Sequence, residues 1–469
     1  MRRSASLFAA LALSACASVP SPNAPVPEAY LATATAESGA PLDALWWRRF
    51  ESSELNQLIT QAIQSNLDLK IATARVLQSE ASARSAGAAL LPSVGASGGV
   101  SRNERQNGTS DFSGSTGYSA GIQASYQLDL FGEARNSAAS AGKRLEASLY
   151  DRETATVTVI SNVVTAYLQV LAARERQRIT TERLNNATTI LRLLETQRRV
   201  GTLSELELSQ QRAAIANQRA ALPALRLAER QALNSLAVLM GRNPQGFDIT
   251  ARSLSDLALP VVASGIPSTL LVRRPDLRQA EANLVAAKLD VSVARAARFP
   301  GIQLTANGGT ASAALSGLFQ TGTFAYSYGA SIAQTLFAGG RLKAQEQGAR
   351  ARYRETAANY EKAIINAFSD VEDALTAVNE YGQQYDLAVE AATQADLAYR
   401  LAELRYRNGV VDFQTVLNAQ NSAFSSQEGL VQNRLSRFNA VIGLTLALGG
   451  GWDGTLADAP PMSGVYAPL

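Results

Sequence analysis

Phe131-Gly132-Glu133-Ala134-Arg135 returns later in the chain as Phe337-Ala338-Gly339-Gly340-Arg341. In both places it separates a run of alternating small and apolar residues from a long stretch without proline. Landmarks on either side return about 208 residues on: Asp68-Leu69 as Asp276-Leu277, Leu91-Pro92 as Phe299-Pro300, Gly201 as Gly409, and Gly241 as Gly449. The quoted pair itself falls two residues short of that register at its first position. One unit has been duplicated, as residues 54–241 and 273–449, with 242–272 between them. Function then belongs to a pseudo-symmetric assembly and not to one asymmetric pocket.

Each copy reads as a helix, two strands, a very long helix, a tight turn and a return helix. Residues 54–91 lack proline and hold only Gly87, and they read as helix up to Pro92. Strands are expected at about 93–102 and 117–129, where Val94, Ala96, Gly98 and Val100 alternate with polar or small residues. Asn107-Gly108 between them marks a hairpin. The second copy gives strands at about 301–311 and 326–336. Such lengths suit a tilted membrane strand of about 9–11 residues. Aromatics near the strand ends (Phe112, Tyr118, Tyr126, Phe319, Phe324, Tyr326, Tyr328) match a bilayer girdle, though a sandwich core would also use them. Four strands cannot close a membrane barrel, whose smallest form has about eight, so a spanning chain must oligomerise; three copies give twelve strands with pseudo-sixfold symmetry.

From about 133–200 and 341–408 no proline occurs. At 1.5 Å per residue each segment reaches about 100 Å, over three times the ~30 Å hydrocarbon thickness, as a spacer or tube wall would. Return helices are expected at 204–241 and 412–448. A heptad survives in both, as Leu208, Ile215, Leu222, Glu229, Leu236 and as Val416, Ala423, Leu430, Arg437, Leu444. That spacing implies knobs-into-holes packing. Pro223, which has Val431 as its counterpart, is expected to kink or restart the first return helix. Gly201 and Gly409 suit left-handed caps, and Ser204 and Asp412 suit N-caps.

Arg2-Arg3, an apolar run from Leu7 to Leu13, and Leu13-Ser14-Ala15-Cys16 resemble the signal and lipobox of bacterial lipoproteins. The resemblance implies removal of residues 1–15, lipidation of Cys16 with palmitate among its acyl groups, and, with Ala17 in place of aspartate, outer membrane sorting. Cys16 is the single cysteine, so no internal disulfide forms. Without the first fifteen residues, 41 basic side chains face 40 acidic ones, which gives a nucleic-acid partner no support. No later stretch offers about 18 uninterrupted apolar residues, so no transmembrane helix is expected. Residues 16–53, 242–272 and 450–469, with Trp46, Trp47 and Trp452, are expected to form a belt around the helices.

Gly95-Ala-Ser97-Gly-Gly99 satisfies the nucleophile-elbow pattern, yet the chain has no histidine, so a Ser-His-Asp triad is excluded and no enzyme is expected. With Met240 and Met462 as the only methionines after the leader, soft metal ligands are nearly absent, and no cofactor or metal site is expected. A trimeric surface coiled coil would account for helices and anchor but needs no duplicated membrane-length strands.

Several stretches together resemble the outer membrane efflux protein family, the TolC-like outer membrane factors of the OprM and NodT lipoprotein type. They are Trp46-Trp47-Arg-Arg-Phe50, Tyr126-Gln-Leu-Asp-Leu-Phe-Gly132, Arg198-Arg-Val-Gly201-Thr-Leu-Ser204, Arg273-Arg-Pro-Asp-Leu277, Ala294-Arg-Ala-Ala-Arg-Phe-Pro300 and Arg405-Tyr-Arg-Asn-Gly409. The resemblance implies a mainly α fold with a β-barrel part: a homotrimeric, twelve-stranded outer membrane barrel continued by a periplasmic α-helical barrel. It further implies a periplasmic adaptor and an inner-membrane pump, most often of the resistance-nodulation-division class. The chain would be a passive duct for drugs or other small molecules; the outer membrane duct of a type I protein secretion system would use the same architecture.

By the same resemblance, Arg199, Val200, Gly201, Ser204, Arg407, Gly409 and Asp412 form the adaptor-docking tips. Glu207, Tyr406, Gln414, Thr415 and Asn418 sit at the periplasmic gate. Asn418 departs from the family pattern, in which that position is usually acidic; asparagine leaves a neutral constriction with weak cation selectivity. Tyr406 is expected to donate to Glu207 across neighbouring helices.

Overall fold

The computed structural model describes residues 27, 30, 31, 44–107, 111–201, 204–262, 269–452 and 454–456. The leader 1–15, Cys16, most of the 16–43 segment and all of 457–469 lie outside the described residues.

After a 3₁₀ turn at Trp46–Phe50, the first copy runs α1 (Ser53–Ser65), α2 (Leu67–Ala88), β1 (Ser93–Asn107), β2 (Asp111–Leu128), α3 (Glu133–Arg199) and α4 (Glu205–Leu239). The second follows a single helical turn at Leu270–Arg273 with α5 (Pro275–Ala296), β3 (Gly301–Ser312), β4 (Phe324–Ala333), α6 (Arg341–Arg407) and α7 (Phe413–Ala447). Residues 54–91 are therefore two helices. Asn66 breaks them with an extended ψ of 134° and accepts from the Leu69 N–H as the N-cap of α2.

Each long helix packs along two shorter ones laid end to end, α2 and α4 on α3, α5 and α7 on α6, and α5 packs against α3 as well. The joints are built alike. Asn66 Nδ2 donates to Leu239 O at 2.9 Å, and its counterpart Arg274 donates through Nη1 to Ala447 O at 3.3 Å. Gly241 (φ +62) and Gly449 (φ +77) close the joints; a Cβ would stand 2.5 Å from Ser65 O in one and 2.8 Å from Arg273 O in the other. Both the left-handed backbone and the close approach demand glycine. The exposed C-terminal carbonyls of each return helix thus find donors on the next helix of the same stack.

The four strands form one antiparallel sheet in the order β1-β2-β3-β4. Its register sorts side chains by chemistry. One rung is Val94, Ala124, Ala306 and Tyr328; the adjacent rung, on the opposite face, is Gly95, Gln123, Asn307 and Ser327. One face is apolar and the other polar, as for a sheet between lipid and water. β1 and β4 are the outer strands, and every residue of β4 is exposed. The first hairpin extends past the alternation, pairing Arg102 with Thr116 and Asn107 with Asp111. The run of polar residues from Arg102 to Asn107 ends the alternating pattern but not the backbone ladder. β4 stops at Ala333; Gln334 instead donates to Arg298 O at 3.0 Å, leaving Leu336 outside the sheet.

The main core gathers Trp46, Trp47 and Phe50 with α1, the middle of α3, the end of α4 and Phe438 and Ile442 of α7. This explains an apolar window in α3 that is long enough to cross a membrane: 67% of it is buried in the fold. The absence of such a helix, read from uninterrupted runs, is thus corrected for average hydropathy, although the window serves as core. α4 continues from Glu205 to Leu239 through Pro223 without restarting. Trp452 meets Tyr150 edge-on at 5.8 Å.

Candidate periplasmic tips, gate and equatorial clasp

At the first tip, α3 ends with Gly201 in the left-handed region (φ +78), its N–H donating to Arg198 O at 3.1 Å. Ser204 opens α4, and its N–H and hydroxyl both donate to Glu207 Oε2, at 2.9 and 3.0 Å. At the second tip, the Gly409 N–H reaches Tyr406 O at 2.9 Å and the Val410 N–H reaches Arg405 O at 2.9 Å, a Schellman closure. Asp412 then caps α7, accepting from Thr415 N–H at 2.9 Å and Thr415 Oγ1 at 2.6 Å. These hydrogen bonds hold the Asp412 carboxyl below its ordinary range.

Both tips carry exposed valines, Val200 and Val410, beside Arg199 and Arg407. Beneath them, Ile190, Leu194, Leu208, Phe413, Val416 and Tyr399 form one apolar cluster that joins the two hairpins. The heptad positions Leu208, Ile215, Leu236, Val416, Ala423 and Leu444 are buried, so the spacing does mark packing faces. Its charged step is also used: Glu229 pairs with Arg174, and Arg437 lies over the Tyr385 ring at 4.9 Å.

Tyr406 does not bond Glu207. Its hydroxyl donates to Gln197 Oε1 on α3 at 3.0 Å, while Glu207 is engaged by Ser204. Glu207 still acts on Tyr406 at a distance: burial, then this nearby carboxylate, raises the phenol above its ordinary value. Sequence spacing offered one clue to Gln197, which adjoins Arg198, the repeat counterpart of Tyr406. Gln414, Thr415 and Asn418 are exposed on α7, and Gln414 Nε2 donates to Asn418 Oδ1 at 3.0 Å. Between α4 and α7 a cleft of about 370 Å³ continues this amide surface with Gln210, Asn217, Gln218 and Asn421. Among the described residues no group of acidic or thiol side chains is arranged to hold a metal.

A third constellation, unread from the sequence, fixes the inter-repeat segment to α3. Arg174 donates to Glu229 at 2.7 Å, to Ile249 O and Ala251 O at 2.7 Å each, and to Asp248. Neighbouring Glu175 accepts from Leu254 N–H at 3.0 Å and from Ser253 Oγ at 2.9 Å. Glu54 accepts from Thr250 N–H, Thr250 Oγ1 and Ala251 N–H at 2.6, 2.8 and 3.1 Å.

Residues 58–242 and 266–450 each match the outer membrane efflux protein family, in agreement with the duplication. The chain belongs to the outer membrane efflux protein family. It is 39% identical over 463 residues to the pyoverdine export outer membrane protein OpmQ of Pseudomonas aeruginosa, covering 96% of this chain and 97% of that one. It is 33% identical to the probable efflux pump outer membrane protein TtgC of Pseudomonas putida, over 98% and 97% of the two chains. The solved outer-membrane channel OprN superposes with a TM-score of 0.87 at 29% identity, over 93% and 100% of the chains. The fold of this efflux protein is that of a TolC-like outer membrane channel, a duplicated α part with a β part.

Proposed function

We propose that the protein is the outer membrane channel of a tripartite efflux system, a passive, non-catalytic export duct energised by an inner-membrane pump through a periplasmic adaptor. The sheet carries this reading. Its apolar and polar faces suit lipid outside and water inside, and β1 and β4 are left as edges that a bilayer does not tolerate. A homotrimer removes every edge by pairing β4 of one copy with β1 of the next, closing twelve strands. The α3 and α6 hairpins of three copies then form a periplasmic tube, with Cys16 anchoring each chain by its lipid.

In this reading, Arg199, Val200, Gly201, Ser204, Arg407, Gly409 and Asp412 meet the adaptor. Val200 and Val410, 70% and 68% exposed, support it by offering apolar contacts at the two turns. Gln414, Thr415 and Asn418 form the neutral constriction, with Tyr406 and Glu207 bracing it. The names of the relatives favour small-molecule cargo, pyoverdine for one and an efflux pump's substrates for the other. The pump is of the resistance-nodulation-division class.

The test is native mass and conductance of the protein extracted from outer membranes in mild detergent. Three protomers with ion-conducting steps in a planar bilayer are expected, whereas a stable monomer overturns the duct. A strain lacking the protein should retain a fluorescent efflux substrate; unchanged retention overturns the cargo assignment.

A further inference from the structure

At the end of the sheet nearest the helices stands a belt of exposed apolar residues: Leu91, Leu130, Phe131, Phe299, Leu336 and Phe337. Phe131 and Phe299, one from each copy, stack at 4.7 Å. Directly beyond, on α5, the turn that follows it and α6, three guanidinium groups converge on a single carboxylate. Arg298 Nη1 lies 2.6 Å from Glu346 Oε2, Arg350 Nη2 lies 2.7 Å from Glu346 Oε1, and Arg295 Nε lies 3.6 Å from Oε1. Glu346 is buried, with 5% of its surface exposed, whereas the arginine side chains keep between 32% and 49% exposed. Burial acts to raise the Glu346 carboxyl, but the hydrogen bonds from Arg350 and Arg298 outweigh it and hold it below its ordinary value. One negative charge therefore organises three positive ones, and exposed Arg341 and Lys343 add to the surplus.

The first copy is built without this cluster. With α3 and α6 aligned from their first residues, Glu133 and Arg341, a register two residues away from that of the Phe131 and Phe337 motifs, the first copy has Gly87, Leu90 and Gly142 for the three arginines, Ala138 for Glu346, Glu133 for Arg341 and Arg135 for Lys343. Basic groups at that level of the first copy are matched one to one: Arg135 with Asp129, Lys143 with Glu146 and Arg144 with Asp290. The second copy alone concentrates unneutralised charge, immediately outside an apolar belt. Gln334, at the end of β4, is hydrogen-bonded to the Arg298 carbonyl and fixes the height of the cluster against the sheet.

We propose that Arg295, Arg298 and Arg350, with Lys343 two turns before Arg350 on the same face of α6, form a binding site for anionic phospholipid of the periplasm-facing leaflet. Its phosphodiester lies on the guanidinium groups and its acyl chains lie on the Phe299, Leu336 and Phe337 belt. Three arginines gathered on one carboxylate suit phosphate oxygens, which accept paired N–H donors. The inference rests on the sheet crossing the membrane, and it goes beyond that reading by naming a lipid class and a position.

Native mass spectrometry of the detergent-extracted protein, with phosphatidylglycerol or phosphatidylcholine added at equal concentration, tests it. Phosphatidylglycerol adducts should dominate by about tenfold, in keeping with the attraction of a few basic side chains for an anionic lipid surface. The preference should fall to near parity in the double variant Arg298→Gln/Arg350→Gln and should fall clearly in Lys343→Gln. Lys343 lies outside the Glu346 network and keeps the test valid if the double variant misfolds. Arg135→Gln, in the first copy, should retain the preference. Equal adducts of the two lipids on a conducting trimer, or unchanged preference in the variants, overturn this inference alone. Displacement of all lipid adducts by excess inorganic phosphate also overturns it, since the site then takes free anion.

Discussion

Tyr406 on α6 donates its hydroxyl to Gln197 on α3 at 3.0 Å, so the two hairpins of one chain are tied together just above their tips. The ring also meets Phe413 edge-on at 5.7 Å. Two contacts of different chemistry thus share one side chain, and substitution can separate them.

Tyr406→Phe should keep the ring contact and remove the hydrogen bond, a loss of about 1 kcal/mol that corresponds to roughly a fivefold shift toward the open state. Single-channel recordings read this as higher open probability. Equal open probability in the two proteins would show that the tie does not hold the tip.

Asn418→Asp should convert a neutral constriction into a ring of carboxylates that binds multivalent cations. Wild-type conductance should be insensitive to such cations, and the variant should be blocked by them. Strong block of the wild-type channel would sink the neutral-gate assignment.

Arg174→Met should destabilise the protein by about 1–3 kcal/mol, because part-buried Glu229 loses its cation and the Ile249 and Ala251 carbonyls lose their donor. Adding Glu229→Leu should recover part of that loss through direct coupling. Thermal unfolding of the single and double variants measures both effects; strictly additive losses would contradict a shared network.

Burial pushes the Tyr167 and Tyr399 phenols up to about 12. Both stay protonated in the fold while the unfolded chain ionises near 10, so their contribution is complete below about pH 10 and is lost as pH rises toward 12. At the acid end, burial of Glu54 is outweighed by hydrogen bonds from Thr250, Ala251 and Tyr167, and its carboxyl lies below the ordinary value. That contribution is present above the ordinary carboxylate range and is lost as pH falls below about 4. Melting temperature against pH should therefore be flat between these limits, and Tyr167→Phe should soften the alkaline fall.

The repeat and the alternation were legible because each is a local pattern. A period of two assigns Val94 and Gly95 to opposite faces whatever else surrounds them, and the register of the sheet keeps that assignment across all four strands. The heptad likewise named faces that the structure buries, although it could not tell that Glu229 would meet Arg174. Strand ends were misplaced where polar residues continue a ladder that only backbone pairing reveals.

The gate partner of Tyr406 was out of reach for a different reason. Glu207 and Gln197 both stand near the first tip, and which of them faces α6 depends on helix rotation; the Ser204 cap also claims Glu207 first. The clasp on residues 248–254 joins backbone carbonyls to Arg174 across more than seventy residues of chain, and no spacing encodes that.

From its sequence alone the chain is a tandem of helix, hairpin and long-helix units with one apolar and one polar sheet face, since periodicity and glycine placement are properties of neighbours in the chain. Tertiary structure alone decided that Gly241 and Gly449 seat against Ser65 and Arg273, that Arg174 holds the inter-repeat segment, and that charge gathers on Glu346 in the second copy. Those contacts depend on how whole helices pack in space, where distance along the chain no longer sets which groups meet.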